Sequence, residues 1–416
     1  MYQVNISLYI ARRYLFGKKS QNAINIISAI SILGVAVGTM ALVIVLSVFN
    51  GFDKVVKSLF NAFDPDIKIT AVMGKTFSPA GETFDLVREH PGVEAFSEVL
   101  EENALLMYGD QQHIATIKGA DENFENVTGI DSMIIDGSMK LKDTNWSYAV
   151  IGQGVAYYLR IGLSFVDPLF IYTIRRTAPV NLANPDQSIK RQFIYPAGIF
   201  SIEQDFDSRY VIVPIEFARE LLEYTDEVSA IEIKLNQQIN PAKTQSELKG
   251  ILGPDYHVKN REEQNELFYR IMRSEKYAIF LILTFILIIA SFNIIGSLSM
   301  LIIDKKTDIK TLRNMGAGNK LIEKIFLVEG WMISIVGSIS GLIIGTVISW
   351  LQYKFGLLKL SGSGTFIIDA YPVDIQIPDL ILVWLTVLLI GFLAALYPVK
   401  QISKKYLKQV ENGEIV

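Results

Sequence analysis

The chain has 416 residues, of which 50% are hydrophobic and 20% are charged, with a net charge of −4 and no cysteine. This mixture indicates a membrane protein that also carries a large water-soluble part. The lack of cysteine excludes disulfides, thiolate metal sites and cysteine nucleophiles, and the negative balance gives no overall basic field for nucleic acid.

The N-terminal part of the chain is predicted to anchor it in a membrane. Residues 1–22 place apolar side chains around Arg12 and Arg13, a composition that suits a cytoplasmic interfacial helix. Residues 23–50 carry no formal charge and, at ~1.5 Å per helical residue, are long enough to cross a hydrocarbon layer of ~30 Å. Because basic residues precede this span, its start is expected in the cytoplasm and residues 51–276 outside.

Residues 51–276 are predicted to form an extracytoplasmic domain with helical stalks. Period-two alternation predicts a strand at residues 66–70, and other apolar runs predict strands at 112–117, 149–151, 169–174, 210–213 and 230–235. Helices are predicted at 83–89, 154–159, 215–223 and 241–252. This mixture of strands and short helices is typical of α+β architecture.

Residues 175–191 interrupt this pattern between two apolar strands. The segment has basic residues at both ends and an apolar, proline-containing tip: Arg175, Arg176, Pro179, Val180, Leu182, Pro185, Lys190 and Arg191. From the residues alone it is a long hairpin loop, a common feature that implies no particular role.

A charged segment, residues 304–329, lies between two apolar spans at 277–303 and 330–350. Its many lysines and arginines predict a cytoplasmic location. Apolar residues recur at helical spacing on both sides of Gly316 and Gly318, which predicts a short amphipathic helix, a bend, and a second helix that enters the membrane. From periodicity alone, the first helix either lies on the membrane surface or is a docking helix that a cytoplasmic protein binds.

The C-terminal part completes the predicted topology. An outer loop at residues 351–379 leads to a fourth span at 380–398, which Pro398 is predicted to end, and lysines in the tail at 399–416 place it in the cytoplasm. Small residues at four-residue spacing predict close-packing faces on the first and third spans: Gly34, Gly38, Gly337, Gly341 and Gly345. The sequence therefore predicts a membrane protein with four transmembrane α-helices and a large α+β extracytoplasmic domain inserted between helices 1 and 2.

Two stretches of sequence carry a family resemblance. The run IKTLRNMGAG, followed by a basic helix that ends in LVEGWMI, resembles the coupling segment of FtsX/MacB-like ABC-transporter permeases. The run SVFNGF, followed by DPDIKI, is similar to the LolC/LolE permeases of the bacterial lipoprotein-releasing complex. With the order of one span, one large domain and three spans, this resemblance covers most of the chain.

The resemblance implies a permease subunit that extracts lipoproteins from the bacterial inner membrane and passes them to a periplasmic carrier. The implied partners are a separate LolD-like ABC ATPase, which uses ATP and magnesium, a second permease copy or paralogue, the lipoprotein, a LolA-like carrier and membrane lipids. No cofactor is implied for this chain itself. In that family the hairpin, where present, binds the carrier, and residues 304–329, here called the coupling segment, fit a groove on the ATPase.

The resemblance assigns ATPase coupling to ten residues: Lys306, Ile309, Lys310, Leu312, Arg313, Met315, Gly316, Gly318, Lys320 and Glu329. Glu329 lies at the membrane boundary, where it is expected to reach the interface or pair with a basic group, and we hypothesise that it has a positional role in transmission. Apolar residues near the outer ends of the first two spans are expected to contact the acyl chains of the substrate: Val43, Leu46, Val48, Phe49, Phe280 and Leu283. Such residues are equally what a lipid-facing helix needs.

The motifs of an enzyme are missing from the sequence. It has no phosphate-binding loop, no HExxH and no GxSxG, and its three histidines, His90, His113 and His257, are far apart in sequence. We therefore expect no catalysis by this chain. Two alternatives remain: an FtsX/MacB-like permease that exports a peptide or drug or transmits force to a cell-wall hydrolase, and a membrane-anchored scaffold or binding protein without a transport cycle.

Overall fold

The structure, a computed structural model, describes residues 6–16, 22–143, 146–163, 167–176, 188–236, 238–359 and 370–411. The chain divides into two compact units. The membrane unit comprises Met1–Val55 and Arg270–Val416, and the inserted domain comprises Val56–Tyr269.

Four long helices dominate the membrane unit. The described helices, in chain order, are α1 (Ile6–Phe16), α2 (Asn22–Phe63), α3 (Glu82–Arg88), α4 (Phe124–Val127), α5 (Gln153–Leu159), α6 (Gln204–Asp207), α7 (Ile215–Leu222), α8 (Pro241–Leu252), α9 (Arg261–Gln264), α10 (Glu266–Asp304), α11 (Lys306–Asn314), α12 (Asn319–Phe355) and α13 (Ile377–Glu411). Of these, α2, α10, α12 and α13 are long and apolar enough to cross a membrane. The prediction of four transmembrane helices is confirmed.

Helix α13 does not end at Pro398, as the sequence pattern had predicted, but continues to Glu411. A proline inside a helix removes one backbone hydrogen bond and costs ~3 kcal/mol or more. Val399, directly after it, is buried in an apolar cluster with residues of α10, α11 and α12. We attribute the continuation of the helix to this packing, which favours the helical backbone on the far side of the proline.

The glycines of α12 allow it to approach α2 closely. A Cβ atom at Gly341 would collide with the carbonyl oxygen of Ala36, and one at Gly337 would lie 2.8 Å from the Cβ of Val35. On α2, a Cβ at Gly38 would lie 3.0 Å from a methyl group of Leu287 in α10. The predicted close packing is therefore confirmed at Gly38, Gly337, Gly341 and Gly345, whereas a Cβ at Gly34 would make only an ordinary contact, 3.5 Å from Asn293.

We expect Gly341→Ala to destabilise the membrane unit by ~1–3 kcal/mol, the usual range for overpacking. The measurement is thermal unfolding of the purified chain in detergent. The control is Gly296→Ala on α10, where no described atom lies within 4 Å of the Cβ position and alanine is the better helix former. Equal melting temperatures for the two variants would contradict the proposed α2–α12 contact.

The inserted domain is built on one mixed sheet. Its described strands are β1 (Ile67–Ala71), β2 (Val93–Tyr108), β3 (Gln111–Ala120), β4 (Ile134–Gly137), β5 (Tyr148–Gly152), β6 (Leu169–Ile174), β7 (Ile189–Phe200), β8 (Tyr210–Pro214), β9 (Ala230–Leu235) and β10 (Tyr256–Asn260). They lie in the order β10-β1-β9-β2-β3-β8-β5-β7-β4, and β6 pairs with both β2 and β7. The pairs β3–β8 and β5–β7 are parallel, and the other described pairs are antiparallel.

Both faces of this sheet are covered. Val211 and Val213 of β8 belong to one apolar cluster, which also contains residues of α3, α5, α7 and α8, whereas Ile212 between them belongs to a second cluster with Phe124 of α4. Because successive side chains of a strand point to opposite faces, the two clusters lie on opposite sides of the sheet. Polar side chains that alternate with apolar ones in these strands are therefore not automatically exposed to water.

Candidate functional site

The coupling segment folds as a helix, a tight turn and a second helix, as the sequence predicted. Gly316, after α11, has a φ of +91°, a left-handed conformation that favours glycine. Its N–H donates to the carbonyl oxygen of Arg313 at 2.8 Å, and the N–H of Ala317 donates to that of Leu312 at 3.0 Å. This pair of bonds is a Schellman motif. The guanidinium of Arg313 also donates to Oδ1 of Asn319 at 2.7 Å, which links α11 to the first residue of α12.

Helix α11 packs against the long helices of the membrane unit through one buried side chain, Ile309. Ile309 is 7% exposed and lies in an apolar cluster with residues from α10, α12 and α13: Leu301, Ile302, Ile322, Phe326 and Val399. The coupling segment is therefore part of the packed membrane unit. Through Ile309, α11 is in contact with three spans.

Most of the other predicted coupling residues face away from this cluster. Lys306, Lys310, Met315, Gly316, Gly318 and Lys320 are exposed, Leu312 and Arg313 are half-buried, and Glu329 is fully buried. Met315 is 72% exposed. Methionine is flexible and polarizable, properties that suit a side chain on a binding surface.

The predicted hairpin has a well-defined base. Strands β6 and β7 pair antiparallel, from Leu169 opposite Ile194 to Ile174 opposite Ile189, and the N–H of Arg175 donates to the carbonyl oxygen of Ser188 at 2.8 Å. The predicted tip residues, Pro179, Val180, Leu182 and Pro185, lie outside the described residues.

The four cations at the base of the hairpin bind within the inserted domain. Each has a described contact: Arg175 with Glu223 at 3.9 Å, Arg176 with Glu227 at 3.3 Å and with the ring of Tyr224, Lys190 with the carbonyl oxygen of Glu220, and Arg191 with the ring of Phe170. Four of these five contacts, made by three of the cations, are with α7 or the loop that follows it. They tie the base of the hairpin to the neighbouring helix.

The predicted acyl-chain residues fall into two groups. Val43 and Leu46 are buried in the helix bundle, where Val43 packs against Gly345 of α12. Val48, Phe49, Phe280 and Leu283 are half-buried. The large apolar side chains that point outward from α10 are a different set: Leu281, Ile282, Phe285, Ile286, Ile288, Ile289 and Phe292.

A polar clamp, formed by Asn50, Lys276 and Asp379, joins three spans and was not predicted. The side-chain amide of Asn50 donates to Oδ2 of Asp379 at 2.6 Å, and Nζ of Lys276 donates to the same oxygen at 2.9 Å. One carboxylate thereby joins α2, α10 and α13 at the ends of α2 and α10 that connect to the inserted domain. The signal in the sequence was the polar pair Asn50-Gly51 at the end of an apolar span, which we interpreted only as part of a family motif.

A charge network, formed by Lys68, Glu101, Lys118 and Glu232, lies within the sheet of the inserted domain and was also not predicted. Lys118 is 1% exposed and Glu232 is fully buried, and their Nζ and Oε1 atoms are 2.7 Å apart. Lys68 lies 3.3 Å from Glu101 and 3.6 Å from Glu232. Nζ of Lys118 also lies 4.4 Å from the ring centroid of Phe63 at the end of α2, a cation–π contact.

We expect this network to make the inserted domain sensitive to acid. Burial acts to raise the pKa of Glu101, but Lys68 and Lys118 outweigh it and lower the pKa from 4.5 to about 2. The stabilisation from Glu101 is complete above the unfolded-state pKa and is lost as the pH falls towards 2, because the unfolded chain then binds a proton that the folded domain does not. The loss is on the order of 3 kcal/mol.

The measurement is urea unfolding of the full chain in detergent between pH 6 and pH 3, with Glu101→Gln as the matched variant. Burial raises the pKa of Asp64, which acts in the opposite direction because the folded state of that group binds its proton first. The difference between wild type and Glu101→Gln isolates the contribution of Glu101. If the difference in free energy of unfolding between wild type and Glu101→Gln did not shrink on acidification, the pKa of about 2 for Glu101 would be contradicted.

Comparison with known proteins agrees with this architecture. Residues 28–251 match the MacB-like periplasmic core domain, and residues 280–407 match the FtsX-like permease C-terminal domain. LolC of Xylella fastidiosa (strain Temecula1) is 26% identical over 404 residues, which cover 94% of this chain and 95% of that protein. LolE of Haemophilus influenzae is 23% identical, with 98% and 99% covered, and LolC of Neisseria meningitidis serogroup B is 25% identical, with 96% and 97% covered.

Fold and site together define a multi-pass membrane permease with a MacB-like periplasmic core domain between its first two spans. The chain belongs to the family of proteins with a MacB-like periplasmic core domain, and over nearly its full length it is similar to LolC and LolE. The inserted domain is accordingly periplasmic.

Proposed function

We propose that the chain is the permease subunit of an ABC transporter that extracts lipoproteins from the inner membrane and passes them to a periplasmic carrier, driven by a separate ATPase. The relatives are named as transmembrane proteins of a lipoprotein-releasing system. The observation that carries the proposal is the coupling segment, in which exposed residues flank a buried Ile309 that contacts three spans.

Extraction of a lipoprotein needs an external energy source. Each buried CH₂ group of an acyl chain stabilises membrane binding by ~0.8 kcal/mol, so a multiply acylated protein does not leave the bilayer spontaneously on a useful timescale. ATP and magnesium are used by the partner, and this chain needs no cofactor of its own. Its lysine-rich coupling segment and both termini lie in the cytoplasm in this proposal.

The ATPase docks on the exposed face of the coupling segment. Lys306, Lys310 and Lys320 offer positive charge, and Met315 offers an apolar side chain that can fill a pocket. The complementary partner surface is an acidic groove with an apolar pocket. Docking there moves α11, and the cluster around Ile309 passes the movement to α10, α12 and α13.

The permease works as a pair. Four spans are too few to enclose a path for acyl chains, and α10 presents an outward apolar face that includes Leu281, Phe285 and Phe292. A second permease, either a copy or a paralogue, would face this surface across the cavity for the substrate. The buried Val43 and Leu46 then support the wall of the cavity from within the bundle, while the half-buried Phe49 and Phe280 adjoin it.

The hairpin recruits the carrier in this proposal. We expect replacement of residues 177–187 by a short Gly-Ser turn to lower carrier-dependent release by about 30-fold, the effect of losing one binding hot spot of ~2 kcal/mol. ATP hydrolysis should be unchanged, because the coupling segment is intact. The measurement is lipoprotein transfer to soluble carrier, and the control is replacement of the turn at Gly109 and Asp110 between β2 and β3. Full transfer without the hairpin would remove its recruiting role.

The direct test of the assignment is purification of the complex from membranes without ATP. We expect an ATPase and a lipoprotein to copurify with the chain, and the lipoprotein to leave when ATP, magnesium and carrier are added. A complex that binds a peptide or a cell-wall hydrolase and no lipoprotein would instead identify an exporter or a force-transmitting permease. A chain that binds no ATPase would indicate a scaffold.

A further inference from the structure

Glu329 of α12 is a buried acidic residue whose carboxylate has no hydrogen-bond partner in the described part of the chain. Its side chain is 0% exposed, and neither carboxylate oxygen has a hydrogen-bond partner among the described residues. The next residue, Gly330, packs so closely that a Cβ atom there would lie 2.5 Å from Leu298 of α10 and 2.7 Å from Ala395 of α13. Burial of an unpaired acid is strongly unfavourable, and such residues within membrane spans are characteristically functional.

Lys305 is the cation that acts electrostatically on Glu329. It lies at the junction between α10 and α11, and its side chain is only 18% exposed. In this structure its Nζ lies 3.8 Å from Asp304 and 3.6 Å from Asp308, at or near the long end of ion-pair distances. These are weak, partly exposed contacts, and a lysine on a flexible four-carbon chain can exchange them for another carboxylate.

We propose that Lys305 changes its partner during the transport cycle. It pairs with Asp304 and Asp308 in the structure described here, and with Glu329 once the ATPase has moved α11 against the spans. The second pairing gives the buried carboxylate its missing cation and fixes α11 against α12. This proposal rests on the proposed function. It adds an ion pair with two discrete arrangements, and such a two-state element is what coupling of ATP hydrolysis to release requires.

Glu329 is thus a positioning residue that acts through Lys305. Two features make the exchange physically reasonable. Lys305 is already largely withdrawn from water, so the transfer involves little further desolvation. Ile309, one helical turn further along α11, is held in the cluster with Ile322 and Phe326 of α12, which limits the movement of Lys305 to a small displacement relative to that helix.

The test uses the complete complex with its ATPase in proteoliposomes. The quantity measured is the amount of lipoprotein released per ATP hydrolysed. We expect Glu329→Gln and Lys305→Gln each to lower this ratio about fivefold or more, the lower end of typical coupling between sites, while ATPase binding is retained. Lys305→Arg, which keeps a positive charge for both pairings, should retain most of the ratio. Glu275→Gln and Lys354→Gln, which remove exposed charges elsewhere on α10 and α12, serve as controls and should have no effect.

Three results would overturn the inference. They are a wild-type ratio for Glu329→Gln, a wild-type ratio for Lys305→Gln, and a loss for Lys305→Arg as large as the loss for Lys305→Gln. The Lys305 variant keeps the test valid if the buried Glu329 variant does not assemble. Failure of the proposed function gives a different result, because the wild-type complex itself would then hydrolyse ATP without releasing lipoprotein.

Discussion

Replacing Lys118 with methionine is expected to destabilise the inserted domain by about 3–5 kcal/mol, the usual effect of removing one partner of a buried ion pair. The variant leaves Glu232 fully buried without the ammonium group that lies 2.7 Å away, and Glu101 loses one of its two cations. It also removes the charge that lies over the rings of Phe63 and Phe124. The change is large because four favourable contacts of one charge disappear together.

The measurement is hydrogen exchange at the amides of β3 and β9 in the full chain in detergent. The matched control is Lys243→Met, since Lys243 is 72% exposed on α8 and its loss should change stability by no more than ~0.5 kcal/mol. The double variant Lys118→Met with Glu232→Gln should recover much of the loss, because it removes both charges of the pair and leaves Lys68 with Glu101. A single variant as stable as the control would contradict the structural role of the network.

Replacing Ile309 with alanine is expected to uncouple ATP hydrolysis from release. The truncation removes packing worth ~2–5 kcal/mol between α11 and three spans, which corresponds to a loss of coupling of tenfold or more. The exposed docking face is unchanged, so the ATPase should still bind and hydrolyse ATP. The measurements are ATPase binding, ATP turnover and lipoprotein release from the same preparation.

Met315→Ala is the matched variant for this test, because it lies in the same segment with its side chain in water. We expect it to weaken ATPase binding and to leave the packing of α11 intact. The two variants should therefore fail at different steps. If Ile309→Ala weakened ATPase binding while release per ATP remained normal, the cluster around Ile309 would not be the route of transmission.

Elements with strong local periodicity could be predicted from the sequence. The four spans, the strands at β6 and β9 and helix α8 lie where the pattern placed them, because apolar spacing alone determines these elements. The central strand β2 was missed, because its acids interrupt the apolar pattern. The structure supplies their partners from distant positions, as in Arg219 with Glu98 and Lys118 with Glu101.

The site residues also divide into those that local sequence predicts and those that depend on contacts with distant residues. The bend at Gly316 and the exposed lysines of the coupling segment follow from local composition. The burial of Ile309 requires Val399, which is far away in the sequence, and the clamp joins Asn50 to Asp379 across 329 positions. Similarly, the alternation in β1 predicted a strand, but it could not show that the second face of the sheet, where Lys68 lies, is also covered.

The measurement that tests the central claim most directly is lipoprotein release from proteoliposomes that contain this chain and its copurifying ATPase. We predict that release requires both ATP and a soluble lipoprotein carrier, and that Ile309→Ala abolishes it while ATP hydrolysis continues. ATP turnover without release by the wild-type complex, or release that is indifferent to the carrier, would contradict the assignment of this chain as a lipoprotein-releasing permease.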